Sequence, residues 1–246
     1  MTYRRLPLEG LQNARDLGGH PVPGGVVTRY RRLIRCEAPK DLTPGDLEFL
    51  KAYGVAASID FRGDQEVSRN PSVFENSGGF VYHRCPTFDK KLAFASGGGK
   101  LGETIDWGEK YIELLEGAKN WVSDTLRIMA GAQGAVIYNC TTGKDRSGVI
   151  SALLLGLAGV AEPDIIADYT VSELYLKDVY EKLLSEYRRP GAPADLNNPF
   201  FRTKPESMSA LLDYLNAKYG GIEPYVKNCG VTDREIAAIR ESLVEK

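Results

Sequence analysis

Residues 135–157 read Ala-Val-Ile-Tyr-Asn-Cys-Thr-Thr-Gly-Lys-Asp-Arg-Ser-Gly-Val-Ile-Ser-Ala-Leu-Leu-Leu-Gly-Leu, and this stretch decides how the fold is interpreted. The apolar run at 135–138 predicts a buried strand, and the longer apolar run at 148–157 predicts a buried helix. The turn between them presents backbone N–H groups and the positive end of the helix to one point, which is how proteins bind anions. The sequence therefore predicts a phosphate-binding loop from Cys140 to Arg146.

The loop combines a nucleophile with groups that attract an anion. The helix start and the Arg146 guanidinium both favour the thiolate of Cys140, which is the nucleophilic form of cysteine. Arg146 is a planar fork that can hold two phosphoryl oxygens. We expect Gly143 to adopt a positive φ, Ser147 to donate a hydrogen bond to the sulfur, and Lys144 to add positive charge to the rim. An isolated cysteine is usually a core residue, but this combination favours a reactive site.

Asp145 is the one carboxylate in the loop, and a bound phosphate dianion would repel it. One interpretation is that its side chain accepts hydrogen bonds from backbone donors at the start of the following helix. The other is that Asp145 is held protonated and acts as the general acid for a leaving oxygen. The residues alone leave both interpretations open.

The loop resembles the Cys-x5-Arg-Ser/Thr signature of the cysteine-dependent protein tyrosine phosphatases. Its Gly-Lys-Asp-Arg core is similar to that of a bacterial subgroup of tyrosine and lipid phosphatases. The similarity covers nearly the whole chain, and it includes Asn13-Ala-Arg-Asp-Leu-Gly-Gly19, Leu33-Ile-Arg-Cys36, Ser58-Ile-Asp-Phe-Arg62, Asp168-Tyr169 with Ser172, and a C-terminal stretch with Tyr219-Gly220 and Tyr225.

The resemblance implies a catalytic role for each loop residue. Cys140 is then the nucleophile, Arg146 the phosphate clamp, and the amides of residues 141–145 bind phosphoryl oxygens. By the same resemblance, a lysine at the position of Lys144 is typical of phosphatases whose substrates carry more than one phosphate group, including phosphoinositides. The candidate substrate-binding residues are Thr141, Thr142, Gly143, Lys144, Ser147, Asp60 and Arg62.

The general acid has several candidates. The resembling subgroup lacks the mobile Trp-Pro-Asp loop of other tyrosine phosphatases, and no Trp-Pro-Asp occurs here. This favours Asp145 as the acid, with Asp60 next, and Asp89 as a less favoured candidate on a nearby loop. Arg62 either binds a second phosphate group or pairs with Glu66 one helical turn later.

Two positions depart from the family pattern. Asn139 stands where the family usually has the histidine that orders the loop, and an amide makes some of the same hydrogen bonds but carries no charge. Cys36 stands where the family more often has serine. We expect Cys36 and Cys85 to be core residues rather than disulfide partners of Cys140. We interpret Arg15 and Asp16 as turn and packing residues.

Composition excludes several classes of function. The chain has 246 residues, a net charge of −2 and an isoelectric point near 5.9, so it has no basic field for nucleic acid. Four dispersed cysteines and two histidines argue against a zinc site, and no cofactor is indicated. The sequence contains no apolar run of membrane-spanning length and no readable signal peptide, so we expect a cytoplasmic protein without an integral membrane segment.

The pattern along the chain predicts an α/β fold. Helices are expected from Thr43 to Tyr53, over 64–69 and over 103–131 with a break near Gly117, and strands over 55–60 and 80–84. This alternation predicts a largely parallel central sheet flanked by helices, with only helices after residue 146 and a capping box at Thr232 opening the last of them. We expect one phosphatase domain over 1–246, mixed α/β to residue 145 and helical from 146. Loops are expected at 93–102 and 189–205.

The expected function is metal-independent hydrolysis of phosphate monoesters through a cysteinyl-phosphate. The expected substrate is phosphotyrosine in proteins, and phosphoserine and phosphothreonine are expected as additional substrates. Two alternatives stay open: a phosphoinositide or inositol polyphosphate phosphatase, suggested by Lys144, and a phosphate-binding pseudophosphatase, suggested by Asn139. The sequence does not indicate an oligomeric state.

Overall fold

The computed structural model of the chain describes residues 4–87, 106–181 and 201–244. Within these ranges the strands are β1 (Arg15–Asp16), β2 (Pro21–Val22), β3 (Val26–Val27), β4 (Leu33–Cys36), β5 (Val55–Asp60), β6 (Val81–Arg84) and β7 (Ala135–Asn139). The helices are α1 (Pro44–Tyr53), α2 (Asp64–Arg69), α3 (Trp107–Gly117), α4 (Lys119–Gly131), α5 (Arg146–Ala158), α6 (Glu162–Tyr175), α7 (Pro205–Tyr219), α8 (Ile222–Asn228) and α9 (Asp233–Leu243).

The centre of the molecule is a five-stranded sheet in the order β1-β4-β7-β5-β6. Strands β4, β7, β5 and β6 run parallel, and only the short β1 pairs antiparallel, with β4. After the loop, the regular secondary structure of the described residues consists of helices joined by short turns, apart from an isolated bridge between Val244 and Thr28. The predicted α/β fold, with a largely parallel sheet and a helical C-terminal part, is confirmed.

The register of the parallel strands aligns their carboxyl ends. Asn139, the last residue of β7, lies opposite Cys36 of β4 on one side and Asp60 of β5 on the other. In open α/β sheets ligands bind beyond the carboxyl ends of the strands. The loop that follows β7 therefore begins at the middle of this edge.

Each face of the sheet is covered by a separate apolar cluster. The larger cluster joins Ile59, Phe61 and Tyr138 to helices α3, α4, α5, α7 and α9, and the smaller joins Ile34 and Ile137 to the N-terminal segment and α1. Helix α5 is apolar on all sides, and all but one of its residues are buried. A helix with this pattern belongs to the interior of a protein, and its burial holds the N-terminus of α5, and with it the loop, against the sheet.

The local signals in the sequence placed most elements correctly. Thr43 caps α1 through a capping box and Gly54 ends it in the left-handed conformation, while Thr232 and Glu235 form the capping box of α9. The break near Gly117 separates α3 from α4 as predicted. The loop expected at 93–102, residues 189–200 of the other predicted loop, and Asp89 lie outside the described residues. Within the described ranges, no helix is long and apolar enough to cross a membrane.

Candidate active site

Gly143 is required by the shape of the loop. Its φ is +69°, in the left-handed region, and a Cβ atom at this position would lie 2.3 Å from the carbonyl oxygen of Cys36. Any other L-residue would therefore collide with the end of β4 and would also be strained. The predicted positive φ is confirmed, and the loop packs directly on the neighbouring strand.

The backbone of the loop is held by its carbonyl groups. Each carbonyl oxygen of residues 141–144 accepts a hydrogen bond from outside the loop: from the Ala38 N–H to Thr141 (3.0 Å), from Asn13 Nδ2 to Thr142 (3.0 Å), and from Arg35 Nη2 to Gly143 (2.8 Å) and Lys144 (3.1 Å). In a planar trans peptide the C=O and the following N–H point in opposite directions. The N–H groups of residues 142–145 therefore point away from these donors.

A buried ion cluster supports this arrangement. Arg35 Nη1 donates to Asp168 Oδ2 (2.7 Å), and Arg15 Nε donates to Asp168 Oδ1 (3.1 Å) while its Nη2 bonds Ser172 Oγ (2.8 Å). Arg15 also bonds Asn13, which itself holds the loop. Although burial opposes ionisation, the two arginines hold the pKa of Asp168 well below its usual range. Arg15 is thus a buried packing residue as predicted, but it lies in β1 and not in a turn.

Arg146 is oriented by a carboxylate on α2. Its Nη1 donates to Glu66 Oε2 (2.9 Å) and to the Phe61 carbonyl (3.1 Å), and its Nη2 donates to Glu66 Oε1 (2.7 Å). Thr141 Oγ1 also donates to Glu66. Burial opposes the charge on Glu66, but Arg146 and Thr141 lower its pKa to about 2. Within the described ranges, the buried Nε of Arg146 has no hydrogen-bond partner.

Asp145 does not cap the helix. No side-chain cap hydrogen bond is formed at the start of α5, so the capping interpretation is not what the structure shows. Instead, Oδ1 of Asp145 accepts a hydrogen bond from the Tyr111 hydroxyl of α3 (2.7 Å) and lies 3.6 Å from Lys144 Nζ. The Asp145 carboxylate is therefore held beside the loop by Tyr111 and Lys144, and it is not used to cap α5.

Comparison with known proteins agrees with this geometry. The model of a family described as the tyrosine phosphatase family matches residues 6–245. The chain belongs to the tyrosine phosphatase family. It is thus a phosphatase, a hydrolase whose dependence on cysteine follows from the family, and the resemblance to the tyrosine phosphatases is confirmed.

Three relatives show how far the similarity extends. A tyrosine-protein phosphatase of Nostoc commune is 32% identical over 211 residues, 82% of this chain and 70% of the relative. A Cupriavidus necator protein named as a candidate tyrosine-protein phosphatase is 27% identical over 91% of this chain and 83% of its own length. The triple specificity protein phosphatase PtpB of Mycobacterium tuberculosis is 23% identical over 99% of this chain and its full length.

Asp60 and Arg62 of this phosphatase are fully buried and bind each other. Arg62 Nε and Nη2 donate to Asp60 (2.9 and 2.7 Å), and Arg62 Nη1 donates to the Asn70 carbonyl (2.7 Å). Asp60 also accepts from Tyr82 (3.0 Å) and from Asn139 Nδ2 (3.1 Å). The expected pairing of Arg62 with Glu66 is therefore wrong, because Asp60 takes that arginine. These contacts favour a supporting role under the loop over substrate binding or proton donation.

Lys144 and Ser147 also differ from expectation. The Lys144 side chain is 2% exposed; its Nζ lies 4.7 Å from the centre of the Trp107 ring and 3.4 Å from the Arg202 carbonyl. It is thus packed between α3 and residue 202 rather than placed on an open rim. The buried Ser147 hydroxyl makes no hydrogen bond with the described residues, so the bond to the Cys140 sulfur is not formed here.

Cys140 is a free thiol at the start of the loop. All four cysteines are free and buried. Cys36 belongs to the apolar cluster on one face of the sheet and Cys140 to the cluster on the other. The expectation that Cys36 and Cys85 are core residues agrees with this placement.

Sequence reasoning missed Glu66, Arg35 and Tyr111 as partners of the loop. Arg35 interrupts an otherwise apolar strand. Because a buried charge needs a partner of opposite charge, this arginine indicated that a buried carboxylate lies nearby. The sequence offered Glu66 only as one alternative partner of Arg62, because the two are four residues apart. Tyr111 is one aromatic residue in an amphipathic helix and carries no distinguishing local signal.

Proposed function

We propose that this phosphatase hydrolyses phosphotyrosine in proteins, with Cys140 as the nucleophile, Arg146 as the phosphate clamp and Asp145 as the acid and base. The loop amides of residues 142–145 bind the phosphoryl oxygens in this proposal. The family supplies the class of reaction, and the arrangement of the loop supports the assignment of the individual residues.

The observation that carries the proposal is the unsatisfied hydrogen-bond donor at Nε of Arg146. It is buried and lacks a hydrogen-bond partner in the described part of the chain, although buried polar groups are nearly always paired. Glu66, the Phe61 carbonyl and Thr141 Oγ1 (3.3 Å from Nη2) are the partners of the two terminal nitrogens, which leaves Nε for a ligand. An anion there accepts a hydrogen bond from the charged guanidinium at Nε and from the loop amides together.

The geometry supports a two-step reaction. The Cys140 thiolate attacks phosphorus, the S–P bond forms, and the bond to the leaving oxygen breaks as that oxygen takes a proton from Asp145. Water then attacks the cysteinyl-phosphate, gives a proton to the Asp145 carboxylate, and releases phosphate and the thiolate. Arg146 and the amides stabilise the equatorial oxygens in both steps.

Phosphoproteins are the substrate class that the family and its relatives support best. The relatives' names specify tyrosine-protein and triple specificity protein phosphatases, so phosphoserine and phosphothreonine are secondary substrates in this proposal. The phosphoinositide alternative is less supported, because the Lys144 ammonium group is buried against Trp107. A cytoplasmic location stays a prediction that rests on the need of a thiolate for a reducing compartment.

A substrate panel tests the proposal. Initial rates are measured on a phosphotyrosine peptide, a phosphoserine peptide and phosphoinositide vesicles for the native protein, Cys140→Ser, and Cys229→Ser as a control that removes another buried thiol. We expect the highest kcat/KM on phosphotyrosine, no turnover by Cys140→Ser and native rates for Cys229→Ser. Turnover by Cys140→Ser, or a preference for phosphoinositides, contradicts the proposal. Phosphate binding without turnover on any substrate supports the pseudophosphatase alternative.

A further inference from the structure

Helix α3 contacts the two charged loop residues that precede Arg146. Trp107 and Tyr111 lie one turn apart on the same face of the helix. The Lys144 ammonium packs over the Trp107 ring at 4.7 Å, and the Tyr111 hydroxyl donates to Oδ1 of Asp145 at 2.7 Å. This helix is distant in sequence from the loop, yet it holds both side chains in place.

Tyr111 is itself bonded to a second buried tyrosine. The Tyr111 and Tyr169 hydroxyls are 2.8 Å apart, and their rings meet edge to face with centroids 5.8 Å apart. Both residues are at most 1% exposed. Burial, with the negative charge of Asp145 next to it, holds the pKa of Tyr111 well above its usual range. Because the Tyr111 hydroxyl donates its single proton to Asp145, Tyr169 is the donor in the contact between the two hydroxyls.

We propose that Tyr111, backed by Tyr169, is the positioning residue for the general acid and base Asp145. This inference rests on the proposed function, in which Asp145 protonates the leaving group. The chain of donors runs from Tyr169 to Tyr111 to Asp145 Oδ1, and hydrogen bonds in such a chain strengthen one another. Because Tyr111 donates to Oδ1, the transferable proton is carried by Oδ2.

The same contact serves both halves of the reaction. In the first step the O–H bond at Oδ2 breaks and the leaving oxygen takes the proton, while Tyr111 continues to donate to Oδ1. The carboxylate left behind is stabilised by this hydrogen bond. In the second step the attacking water returns a proton to Oδ2, so that neither Asp145 nor Tyr111 has to change rotamer.

The test is Tyr111→Phe on two aryl phosphates. Phenyl phosphate has a poor leaving group and depends on the acid, whereas p-nitrophenyl phosphate has a good leaving group and depends on it little. We expect kcat/KM on phenyl phosphate, which reports only the steps up to the cysteinyl-phosphate, to fall about tenfold or more, the size of one hydrogen bond to a charged group, and kcat/KM on p-nitrophenyl phosphate to change little. Asp145→Asn combined with Tyr111→Phe should be no slower than Asp145→Asn alone.

The matched control is Tyr225→Phe. It also removes a buried hydroxyl bonded to α3, here to the Leu115 carbonyl at 2.7 Å, a contact that lies on the helix backbone and not on the loop. We expect this variant to keep native rates on both substrates. Tyr169→Phe, one bond further from Asp145, should show the same selective loss as Tyr111→Phe to a smaller degree, and it replaces that variant if Tyr111→Phe fails to fold.

The outcomes separate this inference from the function on which it rests. An equal loss of kcat/KM on both substrates in Tyr111→Phe, or full additivity with Asp145→Asn, overturns the positioning role while Cys140-dependent turnover persists. If Cys140→Ser retains turnover on both aryl phosphates, the proposed function fails first.

Discussion

The Arg146 guanidinium and the Glu66 carboxylate form a two-bond ion pair, with N–O distances of 2.9 and 2.7 Å. The pair uses both terminal nitrogens of the arginine and turns its Nε edge away from Glu66. A flexible arginine would lose conformational entropy on binding phosphate. Glu66 removes that cost in advance by fixing the guanidinium before substrate arrives.

Glu66→Gln should weaken substrate binding and catalysis together. An amide accepts only one of the two hydrogen bonds from Arg146 and carries no charge, so we expect kcat/KM for a phosphotyrosine peptide to fall about ten- to a hundredfold. Glu113→Gln is the control, since Glu113 is exposed and pairs with the exposed Lys110. Native kinetics in Glu66→Gln would show that Arg146 is oriented by other contacts.

Gly143→Ala should abolish activity through the loop rather than through general instability. The added methyl group meets the Cys36 carbonyl, which forces the loop out of its anion-binding shape. Gly24→Ala is the control: Gly24 also has a positive φ, but no atom lies within 4 Å of the place its added methyl group would occupy. We expect Gly24→Ala to cost about 1–2 kcal/mol of unfolding free energy with unchanged kcat. Isothermal titration with phosphate and urea denaturation distinguish the two variants, and phosphate binding by Gly143→Ala would refute the prediction.

Asp168→Asn should destabilise the fold in a pH-dependent manner. The folded-state pKa of Asp168 lies well below that of an unfolded aspartate, so its contribution to stability is complete above about pH 4 and is lost as the pH falls further. We expect a cost of about 3–5 kcal/mol at pH 7, because two buried arginines lose their counter-ion, and a smaller cost at about pH 3. Asp213→Asn, at an exposed position on α7, should show neither effect. A cost independent of pH would contradict the assignment.

Lys144→Met should slow phosphotyrosine and phosphoinositide hydrolysis by a similar factor. The ammonium group is buried against Trp107 and lies beside Asp145, so its loss disturbs the loop for every substrate, about tenfold if one charged contact is lost. Lys110→Met is the control, because Lys110 lies on α3 itself but is exposed. A selective loss on multiply phosphorylated lipids would instead favour the phosphoinositide alternative.

Local patterns were sufficient to predict the frame of the site. The apolar runs on either side of the loop marked β7 and α5, and the capping residues marked the ends of α1 and α9. These features depend on residues close together in the chain, where periodicity and turn chemistry act directly. The identity of the loop followed from seven consecutive residues for the same reason.

The partners of the loop were not predictable in the same way. Arg35 and Asp168 are 133 positions apart, and Arg146 and Glu66 are 80 apart. Such pairs form only once the parallel strands bring their carboxyl ends together, and no local pattern marks them. The short spacing between Arg62 and Glu66 suggested a helical pair, but Asp60 competes for that arginine from the end of β5 and forms a fully buried pair with it.

The central claim is that Cys140 carries the phosphoryl group during turnover. The most direct measurement is acid quenching of the native protein during hydrolysis of a phosphotyrosine peptide, followed by mass spectrometry of the peptide that contains Cys140. We predict one added phosphoryl group on that peptide, more of it in Asp145→Asn if hydrolysis of the intermediate is slowed, and none in Cys140→Ser. Turnover with no phosphoryl group on Cys140 in either the native protein or Asp145→Asn would contradict the account.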